Sequence, residues 1–278
     1  MIAPLLAPGS DLVRHSLALG LRYVDAATDA PLSAPLTAVL ETVGARVANL
    51  TLGQKSDGAA LRFDTRIGRL FAGPAHGVAQ ATVLIAPQGG LGRAMPPDRS
   101  VIPRRLVIPV LLDDEGAPRA TGQAPEGKWL FRVRMHCGPT FPLAAGATAI
   151  RGRLAWTDPT DPEGAPLRWG HVVAKLGAEV VATARTDDRG EYVLKIRGRP
   201  AQTPNALKPI TVALTFHTPA HAPAAPPMTP YADVATEALA LPDLAADAPL
   251  PGATARAGPN ATVTPGEVIT LPTFLVPP

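Results

Sequence analysis

Proline recurs so often in this sequence that no long helix can run without interruption. There are 33 prolines among 278 residues. Each fixes φ and lacks the amide proton that a helix interior or a central strand uses. Another 25 residues are glycine. A chain punctuated in this way suits short strands joined by many turns. Its Pro and Gly content also approaches that of disordered chains. Disorder loses to the pattern of the apolar residues, which make up 46% of the chain and fall in alternating runs of strand length. With six Phe, three Tyr and three Trp, the core falls mainly to Ala, Val and Leu.

The runs predict the strands. Ser16–Val24 carries Leu17, Leu19, Leu21 and Tyr23 on one face. Asp25–Leu32 reads as a turn and Thr37–Val43 as the returning strand. Ala60–Asp64 and Ile67–Phe71 read as a short hairpin. Ala81–Ala86, Arg105–Leu112 and Trp129–His136 follow, and Pro109 marks a sheet edge or a bulge. In the second half, strands are expected at Thr148–Trp156, Gly170–Leu176, Glu179–Thr186, Tyr192–Ile196, Ile210–Phe216 and Val268–Val276. Asp158–Pro166 reads as a turn-rich insert, and Tyr231–Leu241 as one short helix with Thr229 as cap and Pro230 at its start. The expected fold class is therefore all-β: two β-sandwich domains, 1–143 and 144–278, with long Pro-rich loops and at most one short helix. The loops are 87–103, 113–128 and 217–265, the last an extended C-terminal arm.

A weak internal echo runs between the halves. Leu21-Arg-Tyr-Val-Asp25 followed by Ala30-Pro-Leu32 is similar to Leu154-Ala-Trp-Thr-Asp158 followed by Ala165-Pro-Leu167. Duplication would explain this, and so would shared turn chemistry.

Residues Thr148 to Ile196 carry a more specific pattern. Ile150-Arg-Gly-Arg-Leu is an opening strand with a glycine, Gly164-Ala-Pro-Leu167 a turn, and His171 to Leu176 a second strand. Thr186-Asp-Asp-Arg-Gly-Glu-Tyr192 is a hairpin of the form Thr-Asp-x-x-Gly-x-Tyr. This stretch resembles the carboxypeptidase regulatory-like domain, a prealbumin-like β-sandwich family of non-catalytic modules. In the hairpin, Asp187 and Asp188 can cap the turn, Gly190 supplies permissive backbone, and Tyr192 is expected to bury its ring. More loosely, the whole layout is similar to accessory structural proteins of phage tails and contractile injection systems.

Chemistry-bearing motifs are sparse. The five serines sit in no nucleophile context, and there is no Gly-x-Ser-x-Gly, His-Glu-x-x-His, P-loop or Cys-x-x-Cys. Cys137 is the single cysteine, which excludes an intrachain disulfide. Its neighbour His136 would point to the opposite face of a strand, so a thiolate–imidazole pair would need a third residue. His217 and His221 have helical metal-ligand spacing, but Pro219 lies between them. The acids of Thr186–Glu191 lack the alternation of a calcium loop, and Gln88–Arg93 is followed by no helix that could hold phosphate. No catalytic, cofactor-binding or metal residue is therefore expected.

Net charge is +3 with a pI near 9.3. Arg104-Arg105 and Arg197 with Arg199 are isolated pairs, not the basic stripe that nucleic acid favours. No stretch has the length a membrane helix needs. Pro4, Pro8 and Gly9 break the opening residues, which lack a basic start, so no signal peptide is expected. These features point to cytoplasmic synthesis, no membrane insertion and no nucleic acid. The expected role is a non-enzymatic structural or adaptor subunit whose partners are other protein subunits, its own copies among the candidates, in a macromolecular particle. The alternative is a carbohydrate- or peptide-binding module with Trp129, Trp156 and Trp169 as its platform.

Overall fold

A computed structural model describes residues 17–62, 67, 69–70, 77–88, 98–112, 130–197, 208–219, 231–238 and 252–277. The chain is all-β. Its first sandwich faces a sheet of four strands against a sheet of five. The strands are β1 (Leu17–Asp25), β2 (Leu36–Val43), β3 (Arg46–Thr51), β4 (Gly53–Lys55), β5 (Gly58–Arg62), β6 (Gly77–Pro87), β7 (Arg104–Leu112) and β8 (Leu130–Met135). One sheet has the order β4-β5-β1-β8. The other has the order β15-β7-β6-β2-β3, where β15 (Thr236–Ala238) comes from far along the chain.

The second sandwich uses β9 (Ala149–Asp158), β10 (Asp161–Pro166), β11 (His171–Leu176), β12 (Glu179–Arg185), β13 (Glu191–Lys195), β14 (Ile210–Thr218), β16 (Thr254–Val263), β17 (Val268–Thr270) and β18 (Phe274–Val276). Strand β9 is central in one sheet. It pairs antiparallel with β13 and β10 and parallel with β17 and β18. The facing sheet has the order β12-β11-β14-β16.

The two sandwiches share one topology. In each, the opening strand lies between an antiparallel strand (β5 or β13) and a parallel closing strand (β8, or β17 and β18). Each facing sheet is an antiparallel series, β3-β2-β6-β7 in the first and β12-β11-β14-β16 in the second. The backbone repeats in detail as well. The amide of Leu32 donates to the Tyr23 carbonyl, and that of Leu167 to the Leu154 carbonyl. The Ala-Pro-Leu parts of the sequence echo thus occupy equivalent places. The aromatic parts do not, because Tyr23 corresponds to Leu154 and Trp156 lies two residues further on.

Alternation fills two cores. Leu19, Leu21 and Tyr23 of β1 meet Leu36, Ala38 and Leu40 of β2 and Ala81, Val83 and Ile85 of β6. Ile150, Leu154 and Trp156 of β9 meet Val172, Leu194, Leu214 and Phe216. Strand β6 buries its other face too. Leu84 and Ala86 pack with Ile102, Trp169, Tyr231 and Val234 in a third cluster, which is why Ala81–Ala86 reads as a continuous apolar run.

Several expectations change. Ile67, Arg69 and Leu70 have helical backbone, not strand. Residues 231–233 form a turn and 236–238 a strand where a helix was expected. Strand β15 reaches the ladder at Arg105–Val107 of β7, and that pairing outweighs local helix propensity. The insert after Asp158 is strand β10. The C-terminal arm holds the ten-residue β16, whose Pro259 is tolerated because the strand is a sheet edge. Val268–Val276 is divided at Pro272 into β17 and β18. Among the described residues β15 stops short of Pro109, which pairs with Gln80 of β6 on its other side. Residues 113–128 and most of 217–251 fall outside the described residues.

Candidate functional site

Polar side chains concentrate where the two sandwiches meet. Arg104 begins β7 in the first sandwich and Arg185 ends β12 in the second. Both reach Glu237 on β15. Arg104 donates from Nε (3.2 Å) and Nη2 (2.6 Å), and Arg185 from Nη1 and Nη2 (2.9 Å each), to the two carboxylate oxygens. Arg104 also donates to the Arg134 carbonyl. The arginine side chains are 2% and 4% exposed and the glutamate 11%, so these are desolvated, two-point contacts of the stronger kind. Burial pushes the Glu237 carboxyl up, yet Arg104 and Arg185 together hold it below its ordinary range.

Further contacts flank this triad. Arg105 donates to Glu41 at 2.8 and 3.2 Å and to the carbonyls of Tyr231 and Val234, which fixes the entry to β15. Arg99 grips Asp188 at 2.8 and 3.2 Å. Arg168 contacts Asp233 at 2.9 Å and lies 5.4 Å from the Trp169 ring centre. Trp169 and Tyr231 meet edge to face at 6.1 Å. Both have left-handed backbone, φ 59° and 61°, a costly conformation for bulky residues. His136 and His171 are buried beside the triad, their rings 6.4 Å apart, and His217 lies 5.8 Å from His171.

In the hairpin at 186–192 most of the side chains have a distinct structural role. Thr186 is fully buried. Its hydroxyl donates to the Leu167 carbonyl and accepts from the Gly170 amide, both at 2.7 Å. Asp187 Oδ1 accepts from the amides of Arg189 and Glu191. The Asp188 side chain is held by Arg99. Tyr192 is buried in the second core. Gly152 makes room for it, since a Cβ there would stand 2.4 Å from the Tyr192 hydroxyl oxygen.

The other singled-out residues divide clearly. Trp156 is 2% exposed and Trp169 7%, so neither presents a platform, and Trp129 lies outside the described residues. His217 sits on strand β14, not on a helix, and His221 is not described. Among the described residues no group of His, Cys, Asp or Glu is arranged to hold a metal ion. No helix among them is long and apolar enough to cross a membrane. His136 and Cys137 diverge. His136 faces His171, while Cys137 meets Asp25 and Lys195. Sequence reasoning missed Glu237 altogether, because it lay inside an expected helix. Its arginine partners were noted only as isolated basic residues or not at all.

On the outer surface, β3, β4 and β5 border a hollow of about 420 Å³ lined by Leu50, Gln54, Lys55, Arg62 and Ile67, among others. Val47 on β3 and Val180 on β12 hold equivalent positions in the two edge hairpins and are 70% and 51% exposed. Comparison with family models, curated proteins and solved structures gives no match.

Proposed function

We propose that this chain is a non-enzymatic structural or adaptor subunit of a larger protein assembly. A phage-tail-like or contractile injection particle is the class its layout resembles. One observation carries the reading: the seam charges are turned inward on one another. Glu237 pairs with an arginine from each sandwich, and such a junction suits a part that must hold its two ends at a set angle. The same engagement leaves those groups poorly placed to act on a substrate. Exposed valines on matching edge strands support the same reading, because a sheet edge can accept another strand.

The test is mass in solution by light scattering, joined to cross-linking within the native particle. A defined oligomer, or cross-links from β3 or β12 to particle proteins, is expected. A strict monomer without such cross-links would overturn the proposal.

A second reading, carbohydrate or peptide binding, draws on the hollow beside β3–β5. Glycan and peptide arrays decide it, with Lys55→Ala and Arg62→Ala as the variants that should abolish any response.

A further inference from the structure

Three reactive side chains from three separate segments converge below the seam. Asp25 ends β1 in the first sandwich, Cys137 follows β8, and Lys195 ends β13 in the second sandwich. Lys195 Nζ lies 3.2 Å from Cys137 Sγ and donates to Asp25 Oδ2. Asp25 Oδ1 is fixed by the Ala27 amide at 2.8 Å. The Phe141 ring stands 4.9 Å from Nζ on another side. Cys137 and Asp25 are 4% and 7% exposed. The Lys195 side chain, at 17%, keeps an opening to solvent.

We propose that Cys137 and Lys195 form an oxidation-dependent covalent bridge, Cys–S–O–NH–Lys, that ties the second sandwich to the segment closing the first. The oxidant is a peroxide. One hydrogen peroxide oxidises the thiol to a sulfenic acid and leaves water. A second oxidises the amine nitrogen to a hydroxylamine and leaves water. Condensation of the S–OH and N–OH groups releases a third water and leaves one bridging oxygen. Sulfur and nitrogen each give up two electrons, and the two peroxides accept all four.

Each neighbour has a part. The ammonium beside sulfur favours the thiolate that attacks peroxide. Burial favours the free amine of Lys195, but its hydrogen bonds to Asp25 and Cys137 outweigh that and hold the ammonium, so the nitrogen lone pair is freed only as pH rises. Phe141 and the sandwich walls restrict access to small oxidants. Burial, followed by the Asp25 charge, pushes the thiol up to about 11, so the reaction is slow at neutral pH and speeds up as pH rises. None of this depends on the assembly role.

The full chain is treated with hydrogen peroxide, and its intact mass is read before and after a thiol reductant. The expected product has gained one oxygen and lost two hydrogens, and reverts on reduction. Digestion then yields the Cys137 peptide joined to the Lys195 peptide, with no tryptic cleavage at Lys195. Lys195→Arg retains a cation beside Asp25, so it should fold and yield sulfenic or sulfinic acid without the bridge. Cys137→Ser should show neither change. Thermal unfolding of the bridged chain should shift upward. Folded wild-type protein that carries only Cys137 oxygen adducts with a cleavable Lys195, or that stays unmodified after peroxide at raised pH, would overturn the proposal.

Discussion

Arg104 and Arg185, one from each sandwich, grip the same carboxylate, Glu237, each through two hydrogen bonds. Removing that charge strands two buried guanidinium groups. Breaking a buried pair from one side typically costs about 3–5 kcal/mol, because the remaining charge stays desolvated. Glu237→Gln should therefore lower the unfolding free energy by an amount in that range. The exposed pair Arg22–Asp57, with side chains 46% and 42% accessible, supplies the contrast: Asp57→Asn should cost less than about 1 kcal/mol. Urea unfolding followed by circular dichroism measures both. Equal small losses would mean that the triad adds nothing to the junction.

Two buried carboxylates give opposite pH dependences. The folded value of Glu237 is depressed below its ordinary 4.5. Its contribution is present above that value and is lost as pH falls through the folded one. Burial raises Asp187 from 3.8 to about 6 against the pull of two backbone amides. Arg99 approaches Asp187 Oδ2 at 3.4 Å but makes its hydrogen bonds to Asp188, and Oδ2 has no hydrogen-bond partner. Between pH 3.8 and 6 the folded chain keeps a proton that the unfolded chain has released, so this term falls as pH rises and is flat above 6. Asp187→Asn retains an oxygen for the Arg189 and Glu191 amides. Relative to wild type, its stability should rise across that window by on the order of 2 kcal/mol. Stability curves for the two proteins that run parallel from pH 3.5 to 6.5, on the scale of the ordinary carboxylate range, would refute this.

How much of this was legible follows the physics of each segment. Period-two alternation identified the strands with one buried face, such as β1 with Leu19, Leu21 and Tyr23. It failed for β15 and β16, whose existence depends on partners far away in sequence. Nothing local in Thr236–Ala238 announces a strand, because its ladder is supplied by Arg105–Val107. The Ala-Pro-Leu echo located equivalent turns. The aromatic echo misled by two residues, a shift that preserves the face a side chain occupies and so leaves the hydrophobic pattern unchanged. The seam was invisible for a similar reason. Arg104 and Glu237 are 133 residues apart in sequence, and a charge pattern read along the chain cannot pair them.

One glycine in each sandwich lies close against the backbone of a neighbouring strand. At Gly58 a Cβ would meet the Leu21 carbonyl oxygen at 2.0 Å, and at Gly190 it would meet that of Leu154 at 2.1 Å. Gly190 also has φ +78°. Gly44 has φ +56° with open space around it, which isolates the conformational cost. Gly44→Ala should cost about 1 kcal/mol. Gly58→Ala and Gly190→Ala should each exceed roughly 2 kcal/mol, since backbone must move to admit the methyl group. Unfolding midpoints that rank Gly44→Ala as the most damaging of the three would contradict the two close approaches.

Gly152 and Tyr192 should behave as one unit. They are paired across β9 and β13, and the tyrosine ring occupies the space a side chain at 152 would need. Gly152→Ala overpacks the second core and should cost about 1–3 kcal/mol. Tyr192→Leu removes the ring carbons and the hydroxyl that would clash and costs a comparable amount through lost packing. In the double variant the added methyl faces a vacated space, so the combined loss should fall short of the two single losses by about 1 kcal/mol or more. Unfolding free energies of the four proteins close this cycle. Simple additivity would show that Gly152 is present for its backbone and not to admit Tyr192.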